Sequence, residues 1–406
     1  MFDSSSIMVG LEIGTSKVCV VVGEMNDEGA VNIVGKGQTK SRGVRKGEIV
    51  DAGAVEEDVR HALTEAEHAA DVEVHSVYLG VSGGHVRGFN NRGVHPVVSA
   101  DREISEFDVA DVVKNAKAIN LPQDHTVIHA IRQHFLVDGQ DGVKDPVGML
   151  GARLEVDMHV IHGHLNRLQN AVRLVKGLQL EVEDVVFNGL AASLAVLTPQ
   201  QKEMGALVVE MGAGTTSFVV YLGGVIKHSG VIAVGGDHVT NDLAFGLKVP
   251  QSRAEQLKIE NGHALMADAF EGKKMNIKSD LGLPLNTVNL GHLRRIMSLR
   301  LEEIFQLIAQ DVEQTGLMDY LRAGVFLTGG GSLVPGITTL AERVLQLPVT
   351  IGCATNINGV SSSMGKPELV TAIGLVKFGS HKVRQKQARP GFTHNVKKLF
   401  GRLLPR

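Results

Sequence analysis

Ala206-Leu-Val-Val-Glu210-Met-Gly212-Ala213-Gly214-Thr215-Thr216-Ser-Phe-Val-Val-Tyr221 is the stretch on which the reading of this chain turns. Two apolar, strand-like runs flank a turn made of glycines and threonines. Such a turn cradles phosphate: glycines let backbone N–H groups close on an anion, and the hydroxyls add donors. Glu210, at the strand end, can hold a hydrated divalent cation. The start of the chain repeats the order, with Val9-Gly-Leu-Glu12-Ile-Gly14-Thr15-Ser16-Lys17 bringing strand, acid, glycine and hydroxyls in the same sequence. One Gly/Thr turn between strands is most often a plain hairpin. Two copies, followed by a third glycine loop at Gly329-Gly330-Gly331, point to two related half-molecules.

At 406 residues, 43% of them hydrophobic, the chain exceeds one ordinary core and is expected to form about two to four subdomains. Its net charge of −3 hides an asymmetry, because no Asp or Glu follows Glu368 while Lys and Arg accumulate from Lys377 to Arg406. A mildly acidic body with a cationic end calls for an anionic partner. The two cysteines, Cys19 and Cys353, fit no metal spacing, and Cys19 reads as a small buried thiol in a strand, which suits a reducing cytoplasm. No basic leader with an apolar stretch opens the chain, and no apolar segment approaches the roughly 18 residues that span a bilayer. The expectation is a protein neither exported nor membrane-spanning, with no nucleic-acid partner.

Taken in order, Lys17 to Val22 and Val31 to Gly35 read as paired strands, and Ala54 to Ala70 as a helix with Val55, Val59, Leu63 and Ala66 on one face. Val74 to Val81 returns as a strand. Residues 85 to 162 change texture and read as a compact insertion, with Ser105 and Asp108 capping a helix over Val109 to Ala118 and strands over Thr126 to Val137 and Arg153 to Ile161. His159, His162 and His164 could be taken for a zinc site, but a strand running into a loop does not converge three imidazoles, and no direct protein metal ligand is expected. Asn166 caps a helix closed by Gly177. Asp184 to Phe187 is a strand, and Asn188 opens the helix that ends the first half at Thr198-Pro199.

The second half repeats the meander, with Gly223-Gly224 as a hairpin turn. Gly235-Gly236-Asp237-His238 opens a helix whose first amides could also face phosphate. Glu255 and Lys258 share a face of the helix starting at Ser252, as a surface ion pair or as ligand contacts. Residues 272 to 290 read as a hairpin or mobile loop. Leu293 to Val312 carries a core stripe, while Arg294, Arg295 and Arg300 lie off it, either solvated or ready for an acidic peptide. Helices are expected over Ile337 to Leu345 and Leu369 to Phe378, and residues 381 to 394 read as a flexible linker. Val396, Leu399, Phe400, Leu403 and Leu404 then fall on one helical stripe, with Lys397, Lys398 and Arg402 off it. This basic amphipathic helix suits a membrane surface, or else a groove on another protein.

The paired loops and the Thr-Gly-Gly-Gly loop look like the actin, Hsp70 and sugar-kinase fold. The motifs Gly10-Leu-Glu-Ile-Gly-Thr-Ser-Lys-Val18, Ser76-Val-Tyr-Leu79, Pro146-Val-Gly148, Gly189-Leu-Ala-Ala-Ser193, Gly235-Gly-Asp-His-Val-Thr-Asn-Asp-Leu-Ala244 and Leu327-Thr-Gly-Gly330 resemble, more closely, the bacterial cell-division FtsA family. The resemblance spans nearly the whole chain. It implies an α/β, actin-like (ribonuclease H-like) duplicated fold with two lobes around a nucleotide cleft. Residues 1–84 and 163–198 would form subdomain 1A, 85–162 the inserted 1C, 199–235 and 313–379 subdomain 2A, and 236–312 subdomain 2B, followed by a linker at 380–394 and a membrane-targeting helix at 395–406.

The same resemblance implies ATP (or ADP) with Mg2+ in the cleft. Gly14, Thr15, Ser16, Lys17, Gly212, Ala213, Gly214, Thr215, Thr216, Gly235 and Gly236 would hold the phosphates, with Glu12 and Glu210 holding the cation through water. Glu255, Lys258, Gly329, Gly330 and Gly331 would hold the adenosine. Arg294, Arg295 and Arg300 would lie in the lobe that receives the C-terminal peptide of the tubulin-like ring protein FtsZ. Val396 to Leu404 would meet anionic lipid. The implied protein polymerises with itself at the cytoplasmic face of the cell membrane, tethers FtsZ filaments there, and recruits later division proteins through the insertion.

Two departures bear on chemistry. The family-type Asp-x-Gly-Gly-Gly-Thr loop is here Glu210-Met-Gly-Ala-Gly-Thr, and Asn188 stands where hydrolytic relatives such as Hsp70 place a Glu. An amide is no general base, a role worth about 10² to 10⁴ in rate, so at most slow ATP hydrolysis is expected. The alternatives are a PilM-like pilus-assembly adaptor, which would lack the terminal helix, and a sugar-kinase-type phosphotransferase, which would need an acidic base in the cleft.

Overall fold

The computed structural model describes residues 7–26, 30–266, 272–278, 284–355, 357–358 and 365–388. The expected amphipathic helix, with Val396, Lys397, Lys398, Leu399, Phe400, Arg402, Leu403 and Leu404, lies outside the described residues.

The first lobe opens with β1 (Ile7–Ile13), β2 (Lys17–Met25) and β3 (Val31–Lys40), followed by the two-residue strands β4 (Val44–Arg45) and β5 (Glu48–Ile49), α1 (Ala52–Ala70) and β6 (Ser76–Val81). Val18 to Val22 are all buried, the mark of a strand covered on both faces rather than of an alternating one-sided strand. Asp51 starts α1 by accepting from Ala54 N, and Val55, Val59, Ala62 and Ala66 turn inward; Leu63 is only half-buried.

The insertion holds β7 (Arg87–Pro96), α2 (Glu106–Lys117), β8 (His125–Val137), β9 (Gln140–Val143) and β10 (Arg153–His164). Ser105 and Asp108 form a reciprocal capping box at the start of α2. The four strands pair antiparallel in the order β7-β10-β8-β9 around a core of their own that includes Val112, Phe135, Leu154 and Met158. The lobe is completed by α3 (Leu165–Gly177), β11 (Glu181–Phe187) and α4 (Asn188–Val196). His164, not Asn166, stands at the N-cap of α3, and it makes no side-chain cap bond.

After α5 (Pro199–Met204) come β12 (Ala206–Met211), β13 (Thr216–Leu222), β14 (Val225–Ile232), α6 (Gly236–Leu247), α7 (Gln251–Asn261), β15 (Lys274–Lys278), β16 (Pro284–Asn289), α8 (Leu290–Glu313), β17 (Val325–Thr328), α9 (Ile337–Leu345), β18 (Val349–Ile351) and α10 (Val370–Ala388). Within the stretch 272 to 290, β15 pairs antiparallel with β16. All six residues of the predicted α8 stripe, Leu293, Met297, Leu301, Ile304, Ile308 and Val312, are buried. At about 1.5 to 3 kcal/mol each as an upper bound, they anchor the second lobe.

The duplication is visible in the sheets. One runs β3-β2-β1-β6-β11 and the other β14-β13-β12-β17-β18, each a three-stranded antiparallel meander extended by two parallel strands. Between the sheets lie α4 and α10 in one shared core. They approach so closely that a Cβ on Gly374 would stand 1.9 Å from the Ala191 carbonyl oxygen, a contact only glycine permits. α10 continues to Ala388, through residues expected from composition to belong to a linker. No helix breaker intervenes before Pro390, and Lys382 ties the helix down by pairing with Asp184 at 3.0 Å and lying over the Phe378 ring.

Candidate nucleotide-binding cleft

The two acid-glycine turns are built alike. Gly14 N donates to Lys17 O at 2.9 Å, and Gly212 N donates to Thr215 O at 2.9 Å, so each strand end turns sharply and leaves its carboxylate beside the glycine. Both turns face one cavity of about 590 Å³ between the lobes. Glu12, Gly14, Thr15, Ser16 and Lys17 line one side; Glu210, Gly212, Ala213, Gly214 and Thr215 line the other. The adenosine candidates Glu255, Lys258, Gly329, Gly330 and Gly331 line the same cavity.

Charge in the cavity is uneven. Lys17 Nζ meets Glu12 Oε2 at 3.0 Å; burial alone would lower the Lys17 pKa, but the Glu12 charge and hydrogen bond outweigh it and the pKa rises. Glu210 has no such cation. Burial pushes its pKa up to about 8, the Glu12 charge pushes the same way, and Lys17 and a Ser217 hydrogen bond only partly oppose them. Without a cation the Glu210 carboxyl is therefore largely protonated at neutral pH.

Several expected contacts are placed differently. Thr216 does not line the cavity: it is fully buried, and its hydroxyl donates to Val234 O at 2.8 Å. Gly235 does not line it either. The first amides of α6 are already used, Gly235 N by His238 Nδ1 at 3.2 Å, Gly236 N by Gly212 O at 3.0 Å and Asp237 N by Ala213 O at 2.8 Å. This helix start braces the second acid-glycine turn instead of offering the cavity free donors.

Glu255 and Lys258 pair at 2.7 Å, and Lys258 also donates to Gly236 O and to Thr240 Oγ1, so the pair belongs to the cleft wall rather than to open surface. Gly329 takes φ +82, with the Met211 carbonyl oxygen 2.6 Å from where a Cβ would sit; a Cβ on Gly330 would meet nothing within 4 Å. The wall at Gly330 is therefore open for a flat ring to lie against. Asn188, at the first turn of α4, lines the cavity with a buried side-chain oxygen that has no partner among the described residues. An orphaned acceptor, glycine walls and anion-type turns on two sides fit a nucleotide.

Ser82 was missed. Its hydroxyl lies 3.3 Å from Thr215 Oγ1 and 3.0 Å from Ser217 Oγ, joining the lobes at the cavity. The duplication could have found it, because Gly80 faces Glu12 as Thr328 faces Glu210, which makes Ser82 the counterpart of Gly330.

The arginines and histidines lie elsewhere. Arg300 is held bidentately by Asp242 of α6 at 2.5 and 3.1 Å and also bonds Glu303, so its charge is already met; Arg295 is exposed and Arg294 half-buried. His159 spends both ring nitrogens, on Asn90 Oδ1 at 2.8 Å and on Ser229 Oγ at 2.7 Å, and burial drives its pKa down to about 3. Among the described residues no cluster of His, Cys, Asp or Glu is arranged to hold a metal, and no helix is long and apolar enough to cross a membrane.

Residues 207–374 match the model of cell division protein FtsA, and residues 83–162 match the SHS2 domain inserted in that protein. Cell division protein FtsA of Pseudomonas aeruginosa is 35% identical over 94% of this chain and 91% of its own; that of Borreliella burgdorferi is 39% identical over 92% and 91%. Among solved structures, a PilM-PilN type IV pilus biogenesis complex aligns over 92% of this chain and 98% of its own with a TM-score of 0.66 at 16% identity. MreB5 of Spiroplasma citri bound to ADP aligns over 95% and 99% with a TM-score of 0.56 at 14% identity. At such identities these two share only the actin-like fold, whereas the curated relatives share the sequence along nearly its whole length. The PilM-like and sugar-kinase alternatives give way, and the chain belongs to the FtsA family of cell division proteins.

Proposed function

We propose that the cleft binds ATP with magnesium and that nucleotide occupancy governs self-association of the protein on the cytoplasmic face of the cell membrane, where it tethers FtsZ filaments. The observation that carries this reading is that both acid-glycine turns, one from each lobe, line a single cavity. In it the Thr15 to Lys17 and Gly212 to Thr215 segments hold the phosphates from two sides, so the ligand bridges the lobes. Glu12 and Glu210 would hold magnesium through water, and its charge there would offset that of the phosphates and favour the ionised Glu210 carboxyl. Gly329, Gly330, Gly331, Glu255 and Lys258 would hold the adenosine. Asn188 can orient water but cannot take its proton, which favours binding with slow turnover.

The membrane part rests on residues 395–406 of the sequence. Five apolar side chains at about 1.5 to 3 kcal/mol each, less the cost of ordering the helix, and about 1 kcal/mol per basic residue make a reversible anchor. Polymerisation multiplies anchors and raises avidity by about 10² to 10⁴ with no new contact. The insertion is the surface for later division proteins, and the α8 arginines are the candidate seat of the acidic FtsZ tail, with Arg300 exchanging Asp242 for the peptide.

Gly330→Val tests the cleft. Because a Cβ there meets no protein atom within 4 Å, the variant should fold and melt as the parent does while losing MgATP affinity at least tenfold. Unchanged affinity in a titration of the full chain would remove the adenosine assignment.

A further inference from the structure

We propose that the tip of the β4–β5 hairpin is a clasp that closes the first lobe onto the second phosphate loop, with Lys46 the cation that distinguishes a nucleoside triphosphate from a diphosphate. The inference rests on the nucleotide reading of the cleft and assigns a residue that the loop motifs leave out.

Arg45 pairs with Glu48, so Lys46 and Gly47 form a two-residue turn, and both take positive φ, +52 and +77. That is a type I′ turn, in which Asn or Gly is preferred at the first central position. Lysine there adopts a backbone conformation that L side chains rarely hold. The turn is wedged in the cleft. Gly47 N donates to Thr15 Oγ1 at 3.0 Å, and Gly47 lines the nucleotide cavity. Across the cleft, a Cβ on Gly214 would stand 2.4 Å from Thr15 Oγ1, 2.7 Å from Lys46 Cα and 2.9 Å from Lys46 N. The hairpin tip, the first phosphate loop and the second phosphate loop therefore meet at one point, which a methyl group would force apart.

Two cations of the hairpin, Arg45 and Lys46, bear no salt bridge among the described residues, and it is the backbone of Lys46 that abuts Gly214. Glu48 pairs with Arg167, and Lys17 pairs with Glu12, whereas Lys46 has no carboxylate partner among the described residues. Its field reaches the second lobe: burial first, and then the Lys46 charge, lowers the pKa of His238 at the start of α6. Lys46 is exposed and does not itself line the cavity, but its backbone abuts Gly214 and its neighbour Gly47 lines it, so the long side chain can swing in to meet the outermost phosphate of a bound nucleotide. With that phosphate present the tip stays seated on Gly214, and without it the Lys46 charge has nothing to hold the lobes together.

The test is titration of the full-length protein with MgATP and with MgADP, in the parent and in K46G, R45A and G214A, with melting followed in parallel. K46G suits the positive φ, so it should melt at or above the parent temperature, lose at least tenfold in MgATP affinity and change less than twofold for MgADP. R45A removes an equal charge one residue away and should shift neither. G214A changes no charge and should weaken MgATP through the hairpin backbone. Equal losses for both nucleotides in K46G, or an R45A that matches it, would overturn the clasp. A K46G that discriminates like the parent, in a protein that binds both nucleotides, overturns the clasp alone; a parent that binds neither overturns the nucleotide reading with it.

Discussion

Replacing Glu210 by glutamine should convert the electrostatics of the cleft into a measurable pH dependence. In the folded chain the Glu210 pKa is pushed from 4.5 up to about 8, first by burial and then by Glu12. A carboxyl whose pKa is raised on folding binds its proton more tightly in the native state. Its contribution to stability is fully present below pH 4.5 and drains away as pH rises towards 8. At about 1.4 kcal/mol per pH unit, the window sets a ceiling of roughly 4 to 5 kcal/mol. The side-chain amide of the Glu210→Gln variant stays neutral throughout and keeps the shape of the protonated acid. The stability of the parent relative to Glu210→Gln should therefore fall by several kcal/mol between pH 5 and pH 8. The buried, neutral His129 and His159 also respond to acid, but they are common to both proteins and cancel in the difference.

With no tryptophan in the chain, unfolding is best followed by far-ultraviolet circular dichroism in denaturant, without nucleotide. MgATP should reverse the trend in the parent, since a cation beside Glu210 favours the ionised form. A pH-independent difference between the two proteins would show that Glu210 is ionised throughout and would refute the account of the cavity.

Steady-state phosphate release should stay below about one per second, and Asn188→Glu, which places a carboxylate at the orphaned acceptor, should raise it at least tenfold in a phosphate-release assay. Asp at both Phe400 and Leu403 should release the protein from anionic vesicles in sedimentation, and unchanged pelleting would count decisively against the anchor. His159→Ala leaves Asn90 and Ser229 without a shared partner between the insertion and β14, which should cost about 1 to 3 kcal/mol and speed amide exchange in β7 and β14. An exchange pattern identical to the parent would mean that this contact does not hold the insertion against the second lobe.

Much of the architecture was legible because it is written in local pattern. The two acid-glycine-hydroxyl turns announced the duplication, the α8 stripe named its own buried residues, and Ser105 with Asp108 marked the start of α2, since each depends on spacing within a few residues. Composition misled at residues 381–388, where a polar, basic stretch with no helix breaker continues α10 and Lys382 meets Asp184 across the fold.

The order of residues dictates that two related halves each present an acid and a glycine turn, and therefore what kind of ligand the cleft suits. Which donors remain free for that ligand is settled only by packing. The amides opening α6 are spent on Gly212 and Ala213, Thr216 is spent on Val234, and Ser82 reaches Thr215 across the lobes. A chain of residues records which groups can bond, whereas the choice of partner is made only when segments distant along it, such as Lys46 and Gly214, are packed into contact.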